Sequence, residues 1–248
     1  MSRSRIQVVV PCYNEAERFD SAAFERALAG NRDLAFVLVN DGSTDGTAAA
    51  LHGLASQNAA RIRVLDQPKN EGKAEAVRQG MLAAFDQGAE MAGYWDADLA
   101  TPLDAITEFA AALDTAPEID IVLGARVAIL GHEIERSATR HYAGRVFATL
   151  ASLVLGLTVY DTQCGAKLFR CNEATRILFA NPFGSRWVFD VELLARYLAG
   201  GGEPSGIREI PLARWSDVAG SKVKPADFAR GVVELLRIRR KYDLRRSD

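Results

Sequence analysis

The sequence predicts an α/β fold, a mostly parallel sheet with helices on both faces. Three observations carry this. Short β-rich runs alternate with helical patterns through the first half of the chain. The first run is continuously apolar, as a strand covered on both faces requires. Polar clusters follow several runs directly, at the carboxyl ends where open α/β sheets bind ligands.

Ile6 to Pro11 (IQVVVP) is the first strand. A helix follows over Asp20 to Ala29, with Asp20 or Ser21 as cap and Gly30 as stop. Phe36 to Asn40 is a second strand, and Ser43-Thr44-Asp45 caps a helix through Leu51 and Leu54. Ile62 to Leu65 is a strand, Lys73 to Asp86 a helix ending near Gly88, and Met91 to Asp96 a strand. Thr101-Pro102 pairs a cap with a first-turn proline, so a helix is expected from there to Thr115. Ile119 to Gly124 is the fifth strand. The second half is less regular. Helices are expected over His141–Leu155, Val188–Leu198 and Pro225–Tyr242, and strands over Ala166–Phe169 and Ile207–Ala213. Gly200-Gly201-Gly202 reads as a flexible turn.

The 248 residues suit one large domain. With 48% hydrophobic and 25% charged residues, the chain is neither disordered, collagen-like nor a coiled coil. A formal charge of -2 excludes a global field that draws nucleic acid. The charge is uneven, because Arg230 to Asp248 holds seven basic residues against three acids. Cys12, Cys164 and Cys171 are odd in number and lack metal spacing, and no zinc pattern joins them to His52, His132 or His141, so a reducing cytosol is the simplest home. Met1 to Arg5 carries no signal-peptide apolar core. The longest greasy stretch, Val146 to Val159, falls short of the ~20 residues that span a bilayer. A protein not integral to a membrane, yet able to lie against one, is expected.

Four motifs sit past strand ends. In Asp96-Ala97-Asp98, side chains two apart in an extended chain point the same way and can converge on one hard cation, with phosphate oxygens completing its shell. A solvated strand end with a capping acid is the bland alternative. Asp41-Gly42-Ser43-Thr44-Asp45 has the chemistry of a turn and a cap. Neither requires an acid at Asp41, which can accept hydrogen bonds from a ribose or base. Asn14-Glu15 follows the first strand at the same rim. Asn70-Glu71-Gly72-Lys73 opens a helix with a lysine that is either a surface residue or a neighbour of phosphates.

The series Val10-Pro11-Cys12-Tyr13-Asn14-Glu15, Val39-Asn40-Asp41-Gly42-Ser43-Thr44-Asp45, Asn70-Glu71-Gly72-Lys73 and Asp96-Ala97-Asp98 resembles the family 2 glycosyltransferases of GT-A fold, a Rossmann-like α/β architecture. The segments Asp161 to Phe169, Arg186 to Leu194 and Gly220-Ser221-Lys222 are similar to the dolichyl-phosphate glucosyltransferase branch. The resemblance implies a nucleotide-sugar donor, Mg²⁺ or Mn²⁺, inversion at the anomeric carbon and a polyprenyl-phosphate acceptor, with no nucleic-acid partner. The resemblance covers about residues 5–225, so residues 1–225 are expected to form the GT-A domain with an acceptor-side extension, while 226–248 read by their own pattern as a basic amphipathic helix. By position, Pro11, Tyr13, Glu15 and Asp41 correspond to nucleoside-binding residues, Asp96 and Asp98 to metal ligands, and Arg126, Lys73, Lys167 and Lys222 to groups facing phosphate. Asp161 matches a position proposed as catalytic base. Three departures stand out: there is no N-terminal membrane helix like that of the eukaryotic members, Leu99 follows Asp98 where a glycine is usual, and Gly165-Ala166-Lys167 replaces Gly-Phe-Lys.

Glucose from UDP-glucose, carried to a polyprenyl phosphate at the cytoplasmic membrane face, is the reading these residues favour. GDP-mannose or another donor, a soluble hydroxyl acceptor, and a non-catalytic nucleotide-sugar-binding protein are the alternatives. A phosphate monoester has a second pKa of about 6 and is largely dianionic at neutral pH. Asp161 is therefore expected to orient the acceptor or its basic neighbours more than to remove a proton. Arg136, Arg140 and Arg145 precede the apolar run Val146, Phe147, Leu150, Leu153, Val154, Leu157. Phe228, Val232, Leu235 and Leu236 are interleaved with arginines near the C-terminus. Both segments read either as interfacial helices or as core with solvated basic ends. Asp190 and Glu192 read as a solvated helix face or as braces of the acceptor pocket.

Overall fold

Among the described residues, seven strands form one sheet, lying side by side in the order third, second, first, fourth, seventh, fifth and eighth along the chain. The structure is a computed structural model and describes residues 5–135, 138–216 and 225–244. The strands are β1 (Ile6–Cys12), β2 (Leu34–Asn40), β3 (Ile62–Asp66), β4 (Met91–Tyr94), β5 (Ile121–Ala125), β7 (Lys167–Arg170) and β8 (Ile207–Pro211). A separate parallel pair joins β6 (Glu133–Glu135) to β9 (Arg214–Ser216). The helices are α1 (Ser21–Gly30), α2 (Thr47–Gln57), α3 (Lys73–Asp86), α4 (Ala105–Thr115), α5 (Ala138–Leu155), the short α6 (Glu173–Arg176), α7 (Phe189–Ala199) and α8 (Pro225–Tyr242).

The period of two along the strands divides the core into two layers. Val8, Val10, Phe36 and Leu38 face α1, α2 and α4 together with Phe24, Leu51 and Phe109. Val9, Val37 and Val39 face the other way, into a layer with Val77, Met81, Phe179, Leu193 and Leu235. Both layers are dry, which is why β1 and β2 read as unbroken apolar runs.

The chain steps outward from β1 to β2 and β3, then crosses to β4 on the other side of β1. Ligands bind at such a reversal of strand order. Every pairing in the large sheet is parallel except those of β7, which runs against both β4 and β5. The amino end of β7 therefore meets the carboxyl ends of its neighbours, with Lys167 opposite both Tyr94 and Leu123. Residues 161–166 arrive at the same rim as Asp96-Ala97-Asp98.

Several expected bounds shift: β4 stops at Tyr94, short of Asp96, α5 opens at Ala138, and the cap residue of α2 is Gly46. Helix α4 begins at Ala105, not at Thr101. The Ala100 carbonyl accepts from Ser216 N–H and the Thr101 carbonyl from Trp95 Nε1, so this stretch serves a turn. The triple-glycine segment is a turn as expected, exposed at Gly200 and Gly201, but its last glycine is packed, because a side-chain carbon on Gly202 would sit 2.5 Å from the Tyr197 ring. Among the described residues, no helix is long and apolar enough to cross a membrane.

Helix α8 belongs to the core. Leu235 and Ile238 are buried, and Glu192 of α7, 1% exposed, ties the helix down. Its carboxylate accepts from Tyr242 Oη at 2.7 Å, Lys241 Nζ at 3.0 Å, Arg196 Nη2 at 3.2 Å and the backbone N–H groups of Gly184 and Ser185 at 2.7 and 2.9 Å. Glu192 is thus a buried anchor and not a solvated face. Burial pushes its pKa up, but these donors outweigh burial and hold it below the ordinary glutamate value. A carboxylate depressed in the folded state contributes stability above its unfolded pKa and loses it as pH falls through the folded value. Glu192→Gln is expected to lower the unfolding free energy at pH 7 by about 2 kcal/mol. The gap to the parent protein should narrow below about pH 4, the ordinary glutamate range. Urea melts at both pH values check this, and equal stability at pH 7 contradicts it.

Candidate active site

The loop after β1 is stitched to the loop after β2. Asn14 takes a φ of 53°, a left-handed value that asparagine tolerates. Its N–H donates to Ser43 Oγ at 3.1 Å, and its Oδ1 accepts Thr44 N–H at 2.9 Å. Glu15 N–H donates to Thr47 Oγ1 at 2.7 Å, and the Glu15 carboxylate accepts from Arg18 Nη2 at 2.6 Å. Tyr13 is left exposed at the rim, with Pro11 beneath it.

Asp41 is buried and holds the loop before α3. Its two oxygens accept Glu71 N–H at 2.8 Å and Gly72 N–H at 2.9 Å. Burial raises its pKa against the pull of these bonds. Gly42, at φ 62°, lies so close to this loop that a side-chain carbon would fall 2.3 Å from the Lys69 carbonyl carbon. Arg186 braces the loop from outside, its Nη2 donating to the Glu71 carbonyl at 2.8 Å.

Beyond β4, Asp96 and Asp98 face a cleft of about 290 Å³, which Pro11, Tyr13, Glu15, Asp41 and Lys73 also line. Lys73 Nζ lies 2.5 Å from Asp96 Oδ1. Burial lowers the Lys73 pKa, but Asp96, Asp190 and Asp98 outweigh it and raise the value. The Asp98 pKa is raised by burial and by Asp96. Ala100 N–H donates to Asp98 Oδ1 at 3.1 Å and closes a turn through Leu99, whose φ is 52°. Here lies the reason a glycine suits this position. Leucine in the left-handed region carries a strain of about 1–2 kcal/mol, which packing against the core offsets. Asp96 rests on the backbone of Gly165, where a side-chain carbon would lie 2.0 Å from Asp96 Oδ2.

Asp161 and Arg126 form a second group at the rim. Arg126 Nε and Nη2 donate to the Asp161 carboxylate at 2.6 and 2.8 Å, and Arg126 N–H donates to it at 3.2 Å. Burial lowers the Arg126 pKa, but Asp161 outweighs it and the guanidinium stays charged. The ring of Trp215 lies 5.3 Å from the guanidinium carbon. Glu209 of β8 accepts the N–H groups of Tyr160 and Asp161 at 2.7 and 2.8 Å and so sets the loop.

Lys167 does not reach the cleft surface. It is 0% exposed, with Nζ donating to the Cys164 carbonyl at 2.6 Å and to Asp190 Oδ1 at 2.5 Å. Tyr94 Oη donates to the same oxygen at 2.5 Å. The phosphate contact expected of Lys167 gives way to a buried tie that fixes the backbone just before Gly165. Asp190 is the internal counter-charge to Lys167 and not a solvated helix face. Lys222 lies outside the described residues.

Two hard carboxylates fit one hard divalent ion, provided a ligand supplies the remaining oxygens. Burial leaves Asp98 short of positive charge, which such an ion would relieve. Among the described residues, no group of three His, Cys, Asp or Glu side chains is placed to hold a metal ion by itself, so the pair would rely on a ligand for the remaining oxygens.

Gly165 and Arg186 fall in segments the sequence marked, but their contacts with Asp96 and with the Glu71 carbonyl were not expected, and Glu209 was not singled out. Glu209 carried a signal, a charge inside an apolar strand. Gly165 carried none, because only the reversed β7 brings it under Asp96.

A family model described as glycosyl transferase family 2 matches residues 7–176. A dolichyl-phosphate beta-glucosyltransferase of Trichomonas vaginalis is 34% identical over 242 residues, covering 93% of this chain and 69% of that one. Another of the same name from Drosophila melanogaster is 35% identical over 241 residues, covering 89% of this chain and 69% of that one. In fold, the chain is similar to glucosyl-3-phosphoglycerate synthase from Mycobacterium tuberculosis, solved with Mn²⁺, UDP-glucose and phosphoglyceric acid. The TM-score is 0.68 at 19% identity, over 97% of this chain and 80% of that one.

Gly165→Ala is expected to push Asp96 off its seat while leaving the fold intact, since Asp96 is only half-buried. Calorimetry should find the affinity for UDP in Mn²⁺ at least about tenfold weaker, one lost charge contact. Unchanged affinity, with an unchanged circular dichroism spectrum, contradicts a supporting role for Gly165.

Proposed function

The chain belongs to glycosyl transferase family 2, and from that premise we propose that it transfers glucose from UDP-glucose to a polyprenyl phosphate, with inversion. Its architecture is the GT-A fold. The observation that carries the reading is the convergence of Asp96, Asp98 and Lys73 with Pro11, Tyr13, Glu15 and Asp41 in one cleft at the β1/β4 reversal. Relatives with dolichyl-phosphate beta-glucosyltransferase names support the glucose and the lipid phosphate.

Tyr13, Pro11, Glu15 and Asp41 form the nucleoside wall. Asp41 keeps lone pairs beyond the two it gives to Glu71 and Gly72 and can accept from a base or ribose. Asp96 and Asp98 would hold Mg²⁺ or Mn²⁺ against the diphosphate, and the bound ion would neutralise charge gathering on the leaving group. Lys73 adds a cation to the same wall. Arg126 faces the acceptor phosphate, and Asp161 fixes the plane of its guanidinium through the two parallel bonds. Lys222 is assigned to phosphate on its motif alone. Lys167 positions the rim from below.

Packed against each other, α5 and α8 keep Val146 and Leu153, and Val233 and Leu236, exposed near Arg237 and Arg240. Phe147, Val154 and Leu235 of the same helices are buried, so the outward apolar face is narrower than the runs suggest. We assign this face to peripheral contact with a membrane at its cytoplasmic side. Residues 1–225 are then assigned the chemistry and 226–248 this contact, with Leu235 and Ile238 packing into the core.

The deciding experiment tests UDP-glucose, GDP-mannose and other nucleotide sugars with Mg²⁺ or Mn²⁺, each with a short polyprenyl phosphate or with soluble hydroxyl acceptors. Product from UDP-glucose and the lipid phosphate alone supports the reading. Transfer from GDP-mannose, transfer to a soluble hydroxyl, or binding without transfer overturns it. Asp161→Asn is expected to reduce kcat by about tenfold with the pH profile unchanged, less than the 10²–10⁴ that loss of a general base costs. Activity lost at every pH with donor binding intact contradicts this. The intact protein should float with anionic vesicles, and Val233→Asp with Leu236→Asp should abolish flotation; no flotation of the parent removes the membrane contact.

A further inference from the structure

The Lys73–Asp96 pair occupies the shelf on which the proposed ion depends. The ammonium is 2.5 Å from Asp96 Oδ1, within the field of Asp98, and both side chains are part-exposed at 39% and 35%. The pair can therefore open without disturbing the core. Lys73 is also the first residue of α3, at the positive end of the helix dipole, where a cation is disfavoured. Intrahelical electrostatics do not hold it there. Glu75 in the same turn is engaged elsewhere, with Arg78 Nη2 at 2.7 Å. What holds Lys73 is the cleft's acidic wall.

We propose that Lys73 is a built-in counter-ion that guards Asp96 against free divalent ions and yields it only when a nucleoside diphosphate arrives. A free ion must displace the ammonium and then stand beside it as a like charge. A diphosphate offers Lys73 a better partner, a multiply charged oxyanion in the same cleft. When the ammonium turns to the phosphate, Asp96 Oδ1 is released as the ion's remaining oxygens arrive with the ligand. Ion and nucleotide then bind interdependently, each raising the other's affinity by the same factor. The inference rests on the donor-cleft reading and specifies its order of assembly.

The test is Mn²⁺ binding, read by the electron paramagnetic resonance of the free ion and by calorimetry, with and without UDP. Lys73→Met and Lys73→Gln are compared with Lys73→Arg and the parent protein. Without UDP, the Met and Gln variants are expected to bind Mn²⁺ about tenfold more tightly than the parent, the scale set by removing one like charge from beside the ion. The Arg variant should stay close to the parent. With UDP present the advantage should vanish or reverse, because the variants lack the cation that the diphosphate engages. If folded Met and Gln variants bind free Mn²⁺ no better than the parent, the guarding role fails while the donor-cleft reading stands. If the parent binds no Mn²⁺ even with UDP, the reading beneath it fails as well.

Discussion

Strand β7 runs against its neighbours, and the geometry of the rim depends on that reversal. A parallel strand in its place would deliver residues 161–166 to the opposite edge of the sheet. Running backward, β7 brings Asp161 and Gly165 beside the carboxyl ends of β4 and β5. The cost is a lysine at the buried end of the strand. Lys167 is tolerated because Asp190, the Cys164 carbonyl and the Tyr94 ring surround its ammonium. An unpaired charge there would be prohibitive, whereas a paired and hydrogen-bonded one locks the backbone that seats Asp96.

Much of the first half was legible because its strands are dry on both sides and its helices carry local signals. Asp20 caps α1 as expected, its side chain accepting Ala23 N–H at 3.0 Å. Helix α3 spans Lys73–Asp86 and α8 spans Pro225–Tyr242, both as expected. The failures share a cause, long-range partners. Thr101-Pro102 has the form of a helix start, yet the carbonyls of Ala100 and Thr101 serve Ser216 and Trp95. Strands β6 and β9 are three residues each and pair across about eighty positions, so neither leaves a periodic trace.

The same distinction separates the residues of the cleft from the rest of the rim. Glu15, Asp41, Lys73, Asp96 and Asp98 follow strand ends or open a helix, so local spacing sufficed to bring them to one cleft. Lys167 lies on the strand itself, and its burial is a property of the sheet. That burial against Asp190 departs from the phosphate-facing role its motif implies. Asp190 and Glu192 show the same limit. Two acids in the first turn of α7 favour its dipole and look like a solvated face, but the layer of helices over them turns both into internal counter-charges.

The two halves of the rim solve opposite electrostatic problems. On one side Asp96 and Asp98 lie close together, and burial raises the Asp98 pKa further. That wall is rich in negative charge, which Lys73 and Arg18 offset only in part. On the other side Arg126 is nearly enclosed, and the Asp161 carboxylate lies in the plane of its guanidinium through two parallel bonds. A carboxylate so engaged is a poor proton acceptor, because taking a proton would sacrifice a charge-assisted pair worth more than a neutral hydrogen bond. The arrangement suits an incoming group that is already an anion and needs alignment more than activation.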